Sequence, residues 1–329
     1  MVVTKSLRLL IYAICAVGLF STLPGPAAAA WPEQAITLVH GFGGGGNIDT
    51  TSRIVAERLS VRLGQPVVVE ARAGAGGRIA AAQVARTAAD GYTLIVLSGG
   101  HAVTAAMHEK LAYDTIEDFT FVSLMTQVPL ILVTYPDHPV KSLADLVKTP
   151  KSSNPMFYGS AGAGSTQHLS GALFAAMTKV DLQHVATKGG AVVSTMLLGK
   201  HIDFAFESPI LVLELAKSGQ LRALATTGPK RFFALPDVPT VGETLPGYEA
   251  TSWLGVAGPP KLPADIVKRL HAEIAAVMEE PGVVEKLRAL GTLPLASTPE
   301  GFKQRVAADV AKWSKVVADT GIKRVGASQ

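Results

Sequence analysis

A strand, a loop of small residues and an amphipathic helix follow one another directly near the start of the chain, and the same unit begins again near its middle. In the first copy Ala35 to His40 reads as the strand, Gly41 to Gly46 as the loop, and Val55, Leu59 and Leu63 recur every fourth position along the helix. In the second, Met156 to Tyr158 is the strand, Gly159 to Ser165 the loop, and Leu169, Ala172, Leu173, Ala176 and Met177 the apolar face of the helix. Feeding a strand into a helix is the rhythm of an α/β protein, and two copies imply two lobes built on one plan. The expected architecture is mainly parallel sheets flanked by helices.

Other segments fit that frame. Val67 to Glu70 is a second strand, Gly74 to Gly77 opens another helix, and Tyr92 to Leu97 is a third strand with Ser98, Gly99 and Gly100 in the loop behind it. Two long amphipathic helices close the chain. One carries Ile266, Val267, Leu270, Ile274 and Val277; the other is opened by Thr298 and Pro299 and carries Phe302, Val306, Val310 and Trp313. Proline-flanked segments at Val128 to Pro136 and Thr251 to Pro260 are the candidate crossings between lobes. Two crossings make the first lobe discontinuous, 31–128 plus 254–329, and leave 129–253 as the second.

The first thirty residues belong to neither lobe. Lys5 and Arg8 precede an apolar stretch from Leu9 to Phe20, then Pro24, Pro26 and the run Ala27 to Ala30, the basic, apolar, small order of a secretory signal. A membrane anchor would need about 20 apolar residues to span the bilayer, more than this stretch offers. The expectation is cleavage near Ala30 and a soluble periplasmic protein with no membrane insertion. Lipid attachment at Cys15 is disfavoured, because Tyr12 and Ile14 are poor residues just before a lipidated cysteine. Cys15 is the only cysteine, so the mature chain has no disulfide, thiolate metal site or cysteine nucleophile. The formal charge of +4 falls to +2 without Lys5 and Arg8, and no Lys/Arg run with interleaved aromatics suggests nucleic acid.

The chemistry sits in the glycine loops. In Gly41-Phe42-Gly43-Gly44-Gly45-Gly46-Asn47-Ile48-Asp49 a strand hands over to a helix whose first N–H groups lack partners and lie at the positive end of its dipole, a place that accepts a carboxylate or phosphate. The bland alternative is a tight turn and nothing more. Gly41, Gly43 and Gly46 also fit G-x-G-x-x-G, with Glu70 where a ribose-binding acid would stand, so a dinucleotide-binding enzyme is the competing reading. The export signal, the negative charge of Asp49 and the repetition of the device in the second lobe weigh against it.

That second loop, Ser160-Ala161-Gly162-Ala163-Gly164-Ser165-Thr166-Gln167-His168, again offers hydroxyls and free N–H groups at a helix start. Ser165 and His168 stand three residues apart outside any G-x-S-x-G elbow, which argues for capping or ligand contact over hydrolysis. His168 is as readily a packed residue as a contact. The remaining histidines, among them His101, His184 and His201, show neither H-E-x-x-H nor close pairing, so no metal is expected. Lys188 could pair with an acidic ligand or sit solvated, and Asp203 could accept a ligand donor or cap backbone amides.

Taken together in order, Trp31-Pro32 through Ile36, Gly45-Gly46-x-x-Asp49, Gly64-Gln65-Pro66-Val67, Gly74-Ala75-Gly76-Gly77, Asp90-Gly91-Tyr92-Thr93, Tyr113-Asp114 with Asp118-Phe119, Gly162-x-Gly164-Ser165-x-x-His168, Leu235-Pro236-Asp237-Val238-Pro239-Thr240 and Trp253-x-Gly255 resemble the receptor proteins of tripartite tricarboxylate transporters, the Bug family. The likeness covers essentially the whole mature chain. It implies a two-lobe periplasmic-binding-protein fold of the second type, closing a cleft over an organic acid, an amino acid or a related small molecule, with no cofactor and no catalysis. It also implies that the ligand carboxylate is held mostly by backbone amides and bridging waters, and that a membrane transporter takes delivery. Carried onto this chain, the contacts are Phe42, Gly45, Gly46 and Asp49 in one loop and Ser160, Gly162, Gly164, Ser165 and His168 in the other. Lys188, Gly189 and Asp203 are further contacts, and Ser98 joins them as the residue after the third strand. A sensor that presents its ligand to a membrane signalling protein would use the same fold.

The chain departs from that family at the cleft. Gly43 and Gly44 stand where prolines usually precede the glycine pair, Thr187 replaces an aromatic before Lys-Gly, and Gly190-Ala191-Val192 lacks the usual proline. No named ligand carries over.

Overall fold

The computed structural model describes residues 31–149 and 155–326; the export segment read at residues 1–30 lies outside them. The strands are β1 (Ile36–His40), β2 (Val67–Ala71), β3 (Thr93–Ser98), β4 (Thr120–Pro129), β5 (Ile131–Thr134), β6 (Met156–Ser160), β7 (Leu182–Ala186), β8 (Phe204–Glu207), β9 (Arg222–Thr226), β10 (Thr251–Gly258) and β11 (Leu293–Pro294). The helices are α1 (Asn47–Leu63), α2 (Arg78–Val84), α3 (Gly100–Met107), α4 (Leu143–Lys148), α5 (Thr166–Thr178), α6 (Gly190–Leu198), α7 (Pro209–Lys217), α8 (Val241–Thr244), α9 (Ala264–Glu279), α10 (Pro281–Ala289) and α11 (Pro299–Thr320). A single 3₁₀ turn, Ala75–Gly77, precedes α2. Among the described residues no helix is long and apolar enough to cross a membrane.

Each copy of the repeated unit lies in its own sheet. One has the order β11-β4-β10-β3-β1-β2, the other β7-β6-β8-β5-β9. Within them the trios β2-β1-β3 and β7-β6-β8 are parallel. In both trios the first strand of the unit lies in the middle, so the chain steps out to one side and then back across to the other. That reversal opens a crevice at the carboxyl ends of the strands, between β1 and β3 and again between β6 and β8, where open α/β sheets take their ligands.

The sheets are mixed, where the rhythm of the sequence suggested mainly parallel ones. β10 runs antiparallel to β3 and β4, and β5 antiparallel to β8 and β9. These strands flank the passages between sheets. β4 ends at Pro129 in the first sheet and β5 begins at Ile131 in the second, while the chain returns through Ala250 into β10. A strand entered from another sheet needs no crossover helix, so antiparallel pairing is open to it.

Helix packing follows the apolar stripes. Val55, Leu59 and Leu63 of α1 and Ile266, Leu270, Ile274 and Val277 of α9 bury one face of the first sheet with Ile36 and Leu38. Each such side chain contributes about 1.5–3 kcal/mol when fully buried. α1 stops at Gly64, whose φ of 70° turns the chain out of the helix. α11, opened by the Thr298 hydroxyl accepting from Gly301 N, serves both sheets. Its first turns bury Phe302 and Val306 beside Val39 and Ile95, whereas Trp313 and Val317 join Tyr158, Phe174 and Phe206 of the second core, together with Ala102 and Val103 of α3.

Candidate functional site

Asp49, in the first turn of α1, holds the loop after β1 from within. Its carboxylate accepts from Gly45 N at 2.9 Å, from Arg53 Nε at 3.1 Å and from His40 Nε2 at 3.1 Å. The second ring nitrogen of His40 accepts from Phe42 N at 3.4 Å, which makes His40 a neutral imidazole protonated on Nε2. Burial keeps its pKa below the ordinary histidine value despite Asp49. For Asp49 burial pushes upward, but the bonds from Arg53, Gly45 and His40 outweigh it and bring the carboxyl down to about 2. The loop is thus folded around an ionised carboxylate, and Gly45 adopts the φ of 75° that lets its N–H turn inward. α1 then begins with no side-chain cap on Gly46, so its leading N–H groups point out of the helix.

The loop after β6 is organised by hydroxyls and histidines. Ser160 Oγ lies 2.6 Å from His184 Nε2 and accepts from Gly162 N at 3.2 Å. Ser165 caps α5 by accepting from His168 N at 3.2 Å, and His168 Nδ1 accepts from Gly164 N at 3.3 Å. The rings of His168 and His184 stack with centroids 3.9 Å apart. Burial, followed by a neighbouring histidine (His108 for His168, His168 for His184), lowers their pKa values to about 4 and about 3. Both are neutral near pH 7. The next helix, α6, starts after Gly189 without a side-chain cap.

These loops meet. Gly43 N donates to Lys188 O at 2.9 Å, and Thr104 Oγ1 donates to Gly164 O at 3.3 Å. Gly76, with a φ of 65°, passes so close to the second loop that a Cβ there would stand 2.1 Å from Ala163 O. The space enclosed is a cavity of about 40 Å³ between Phe42, Gly46, Asn47, Ser98 and Leu254 on one side and Thr166, Gln167, Gly189, Gly190, Glu207 and Leu211 on the other. Both switch points therefore open into one cleft.

Three buried polar atoms of the cleft make no hydrogen bond: Asn47 Oδ1, Thr166 Oγ1 and Glu207 Oε2. They come from three different elements, and a buried polar atom without a partner is costly unless a ligand answers it. Glu207 is the extreme case at 1% exposure. Its Oε1 accepts from Ser208 N at 2.7 Å and Gln167 Nε2 at 3.2 Å. Burial raises its pKa to about 7 against the downward pull of those two bonds.

Of the residues singled out from sequence, Phe42, Gly46, Ser98 and Gly189 line the cleft. Gly45, Asp49, Ser160, Gly162, Gly164, Ser165 and His168 shape the two loops from behind through the bonds just described. Lys188 reaches the junction through its carbonyl, with its side chain exposed. Asp203 is not brought there. It precedes β8 at the opposite end of the strand, where it accepts from Phe157 N at 2.7 Å and lies 3.5 Å from His138 Nε2. Glu70, the candidate ribose-binding acid, is paired with Arg72 at 2.8 Å. Asn47, Thr166 and Gln167 lie in the two loops read from sequence but were not named as contacts, and Glu207 and Ser208 lay outside those loops. The repeat held the signal for the last two: Ser98 ends β3, and the equivalent place after β8 is Glu207-Ser208.

Residues 51–322 match the protein family described as tripartite tricarboxylate transporter family receptor. Protein BugT of Bordetella pertussis is 34% identical, over 94% of this chain and 98% of its own length. Among solved structures, R. palustris Rpa4515 with adipate aligns with a TM-score of 0.85 at 36% identity, covering 90% of this chain and 100% of that one. MatC (Rpa3494) from Rhodopseudomonas palustris with bound malate aligns with a TM-score of 0.84 at 31% identity, covering 87% and 100%.

Proposed function

Because the chain belongs to the tripartite tricarboxylate transporter receptor family, we propose that it is an exported receptor that captures a small dicarboxylate between two lobes, without chemistry, and delivers it to membrane transporter subunits. The observation that carries this reading is the convergence on one cleft of two helix starts without a side-chain cap, α1 after Gly46 and α6 after Gly189, beside the switch-point residues Ser98 and Glu207. A hydrogen bond to a charged group contributes about 1.5–3 kcal/mol. Several converging donors therefore reach micromolar affinity, about 8 kcal/mol, with no cationic side chain in the lining. The adipate and malate held by related proteins of known structure support a dicarboxylate over other acids.

In this reading the lobes follow the two sheets, the first running to Pro129 and resuming at Thr251 and the second lying between Leu130 and Ala250, close to the expected division at 128/129 and 253/254. A cavity of about 40 Å³ is far smaller than the roughly 300–1,000 Å³ of small-molecule sites, so ligand entry requires the lobes to part. The hinge would lie where the chain passes between sheets, at Pro129-Leu130 and Ala250-Thr251. Phe42, Gly46, Ser98 and Gly189 act as direct contacts, and Asp49, Ser160, Ser165 and His168 hold the loops that present them.

The test is thermal denaturation of the chain beginning at Trp31 against a panel of mono-, di- and tricarboxylic acids. A cognate acid at a hundredfold excess over Kd stabilises by about 2.7 kcal/mol and is recovered unchanged afterwards. Stabilisation by none of the acids, or consumption of the stabilising one, overturns the proposal.

A further inference from the structure

We propose that Glu207 reads the second carboxylate of the ligand, binding as a neutral carboxylic acid that donates from Oε2, so that capture of a dicarboxylate in alkaline solution takes up a proton from solvent. The inference rests on the receptor reading above and assigns the group that recognises the far end of the ligand.

Glu207 ends β8 at the second switch point, inside the cleft and 1% exposed. Oε1 already accepts two N–H groups, from Ser208 and Gln167, while Oε2 has no partner. An ionised Glu207 would leave charge on Oε2 unanswered in a buried place, which is strongly unfavourable. Two cations could answer it: a proton, or an ammonium carried by the ligand.

The setting selects the proton. The carboxyl lies against the start of α6, where a Cβ on Gly190 would come within 2.9 Å of both oxygens, and a Cβ on Gly46, the residue before α1, would stand 4.0 Å from Gly190 N. Two helix amino termini therefore border the space beside Oε2; their positive dipole ends favour an incoming carboxylate over an ammonium, while burial is what keeps the proton on Glu207. With the Oε1 lone pairs engaged, the proton resides on Oε2 and becomes a donor aimed into the cleft. A ligand carboxylate arriving there shares that proton, as facing carboxyl groups do.

The elements packed round Glu207 carry few titratable groups: Tyr158 on β6, His168 on α5, Lys188 before α6, Glu214 and Lys217 on α7, and at the start of α1 Asp49, already paired with Arg53 and His40. None of them sets its protonation, which is governed by burial first and then by the bonds from Ser208 and Gln167. Burial brings the group to about 7, so the proton is available near neutrality. Only an O–H bond on Oε2 forms, with solvent as the proton source.

The experiment is calorimetry with succinate, malate, glutarate and adipate, with hexanoate and 4-aminobutyrate for comparison, at pH 6 and pH 9 in buffers of different ionisation enthalpy. The tightest dicarboxylate should weaken by about 100-fold from pH 6 to pH 9, tenfold per unit above 7, with close to one proton taken up at pH 9. Glu207→Gln, which places an N–H donor where the acid proton was, should raise affinity at pH 9 by about 100-fold and flatten the profile. A flat wild-type profile with binding intact overturns this inference and leaves the receptor reading standing. So does tighter binding of 4-aminobutyrate that strengthens with pH, or a Glu207→Gln variant of native circular dichroism that loses dicarboxylates at both pH values. Binding of none of the acids overturns both.

Discussion

The backbone N–H of Gly43 donates to the carbonyl of Lys188 across 2.9 Å, joining the loop after β1 to the loop that starts α6. The junction is made of main chain on both sides. Lys188 is thus needed for its place in the backbone, and the residue is exposed and outside the cleft lining.

Lys188→Met keeps the carbonyl and removes the charge. Affinity for the cognate acid should change by no more than about threefold, the scale of a solvated charge acting at a distance. Calorimetry at low and at physiological salt checks it. A tenfold loss at both ionic strengths would make the ammonium a ligand contact.

Gly76 separates closure from local strain. Gly76→Ala places a methyl where Ala163 O stands 2.1 Å away, while Gly45→Ala, at a similar positive φ, meets nothing within 4 Å. Both substitutions cost about 1–2 kcal/mol of backbone strain, since an L-residue is forced into the left-handed region. Only Gly76→Ala should hold the two loops apart, weakening ligand by tenfold or more and enlarging the radius of gyration of the liganded protein in X-ray scattering. Equal affinity in the two variants would show that this contact does not limit closure.

How far the sequence reached depends on what each residue type leaves in it. The strand-loop-helix units were legible because Val55, Leu59 and Leu63 recur at helical period and glycines mark the breaks. The loops were legible for the same reason. What each loop residue does was not, because a buried Asp49 that binds Gly45 and Arg53 and one that binds a ligand look alike in sequence. Asp203 and Glu207 sit at opposite ends of one short strand, and only the strand's direction decides which faces the cleft. The antiparallel pairing of β5 and β10 was hidden as well, since it arises from the passage between sheets and leaves no local pattern.

Acid should loosen the first loop in a defined window. Asp49 titrates at about 2 in the fold against an ordinary 3.8, with a side chain only 7% exposed. Its folded pKa is depressed, so the stabilisation is complete above pH 4 and is lost as pH falls from about 4 towards 2. The shift corresponds to roughly 2 kcal/mol. Asp49→Asn should lower the stability measured by urea denaturation by that amount at pH 7, with the gap to wild type closing by pH 2. A gap of the same size at both pH values would mean that packing, not charge, holds the loop.

Thr227 ties the two passages between sheets to each other. Its hydroxyl accepts from Leu130 N at 2.8 Å and donates to Ala250 O, while its backbone N–H donates to Leu130 O at 2.9 Å and its carbonyl accepts from Ala250 N at 2.9 Å. Leu130 and Ala250 are the residues through which the chain leaves and re-enters the first sheet, and all three are buried. One side chain therefore couples both strands of the hinge. Thr227→Val is nearly isosteric and removes only the hydroxyl bonds, leaving the Leu130 amide without an acceptor. Stability should fall by about 1–3 kcal/mol, the cost of a buried donor left unpaired. Hydrogen exchange should quicken at Leu130 more than at Ala250, whose N–H keeps its backbone acceptor. If the hinge flexes at this clamp, ligand dissociation should quicken too, because opening no longer works against a bond shared by both strands. Unchanged exchange at Leu130 would place the flexing elsewhere in the chain.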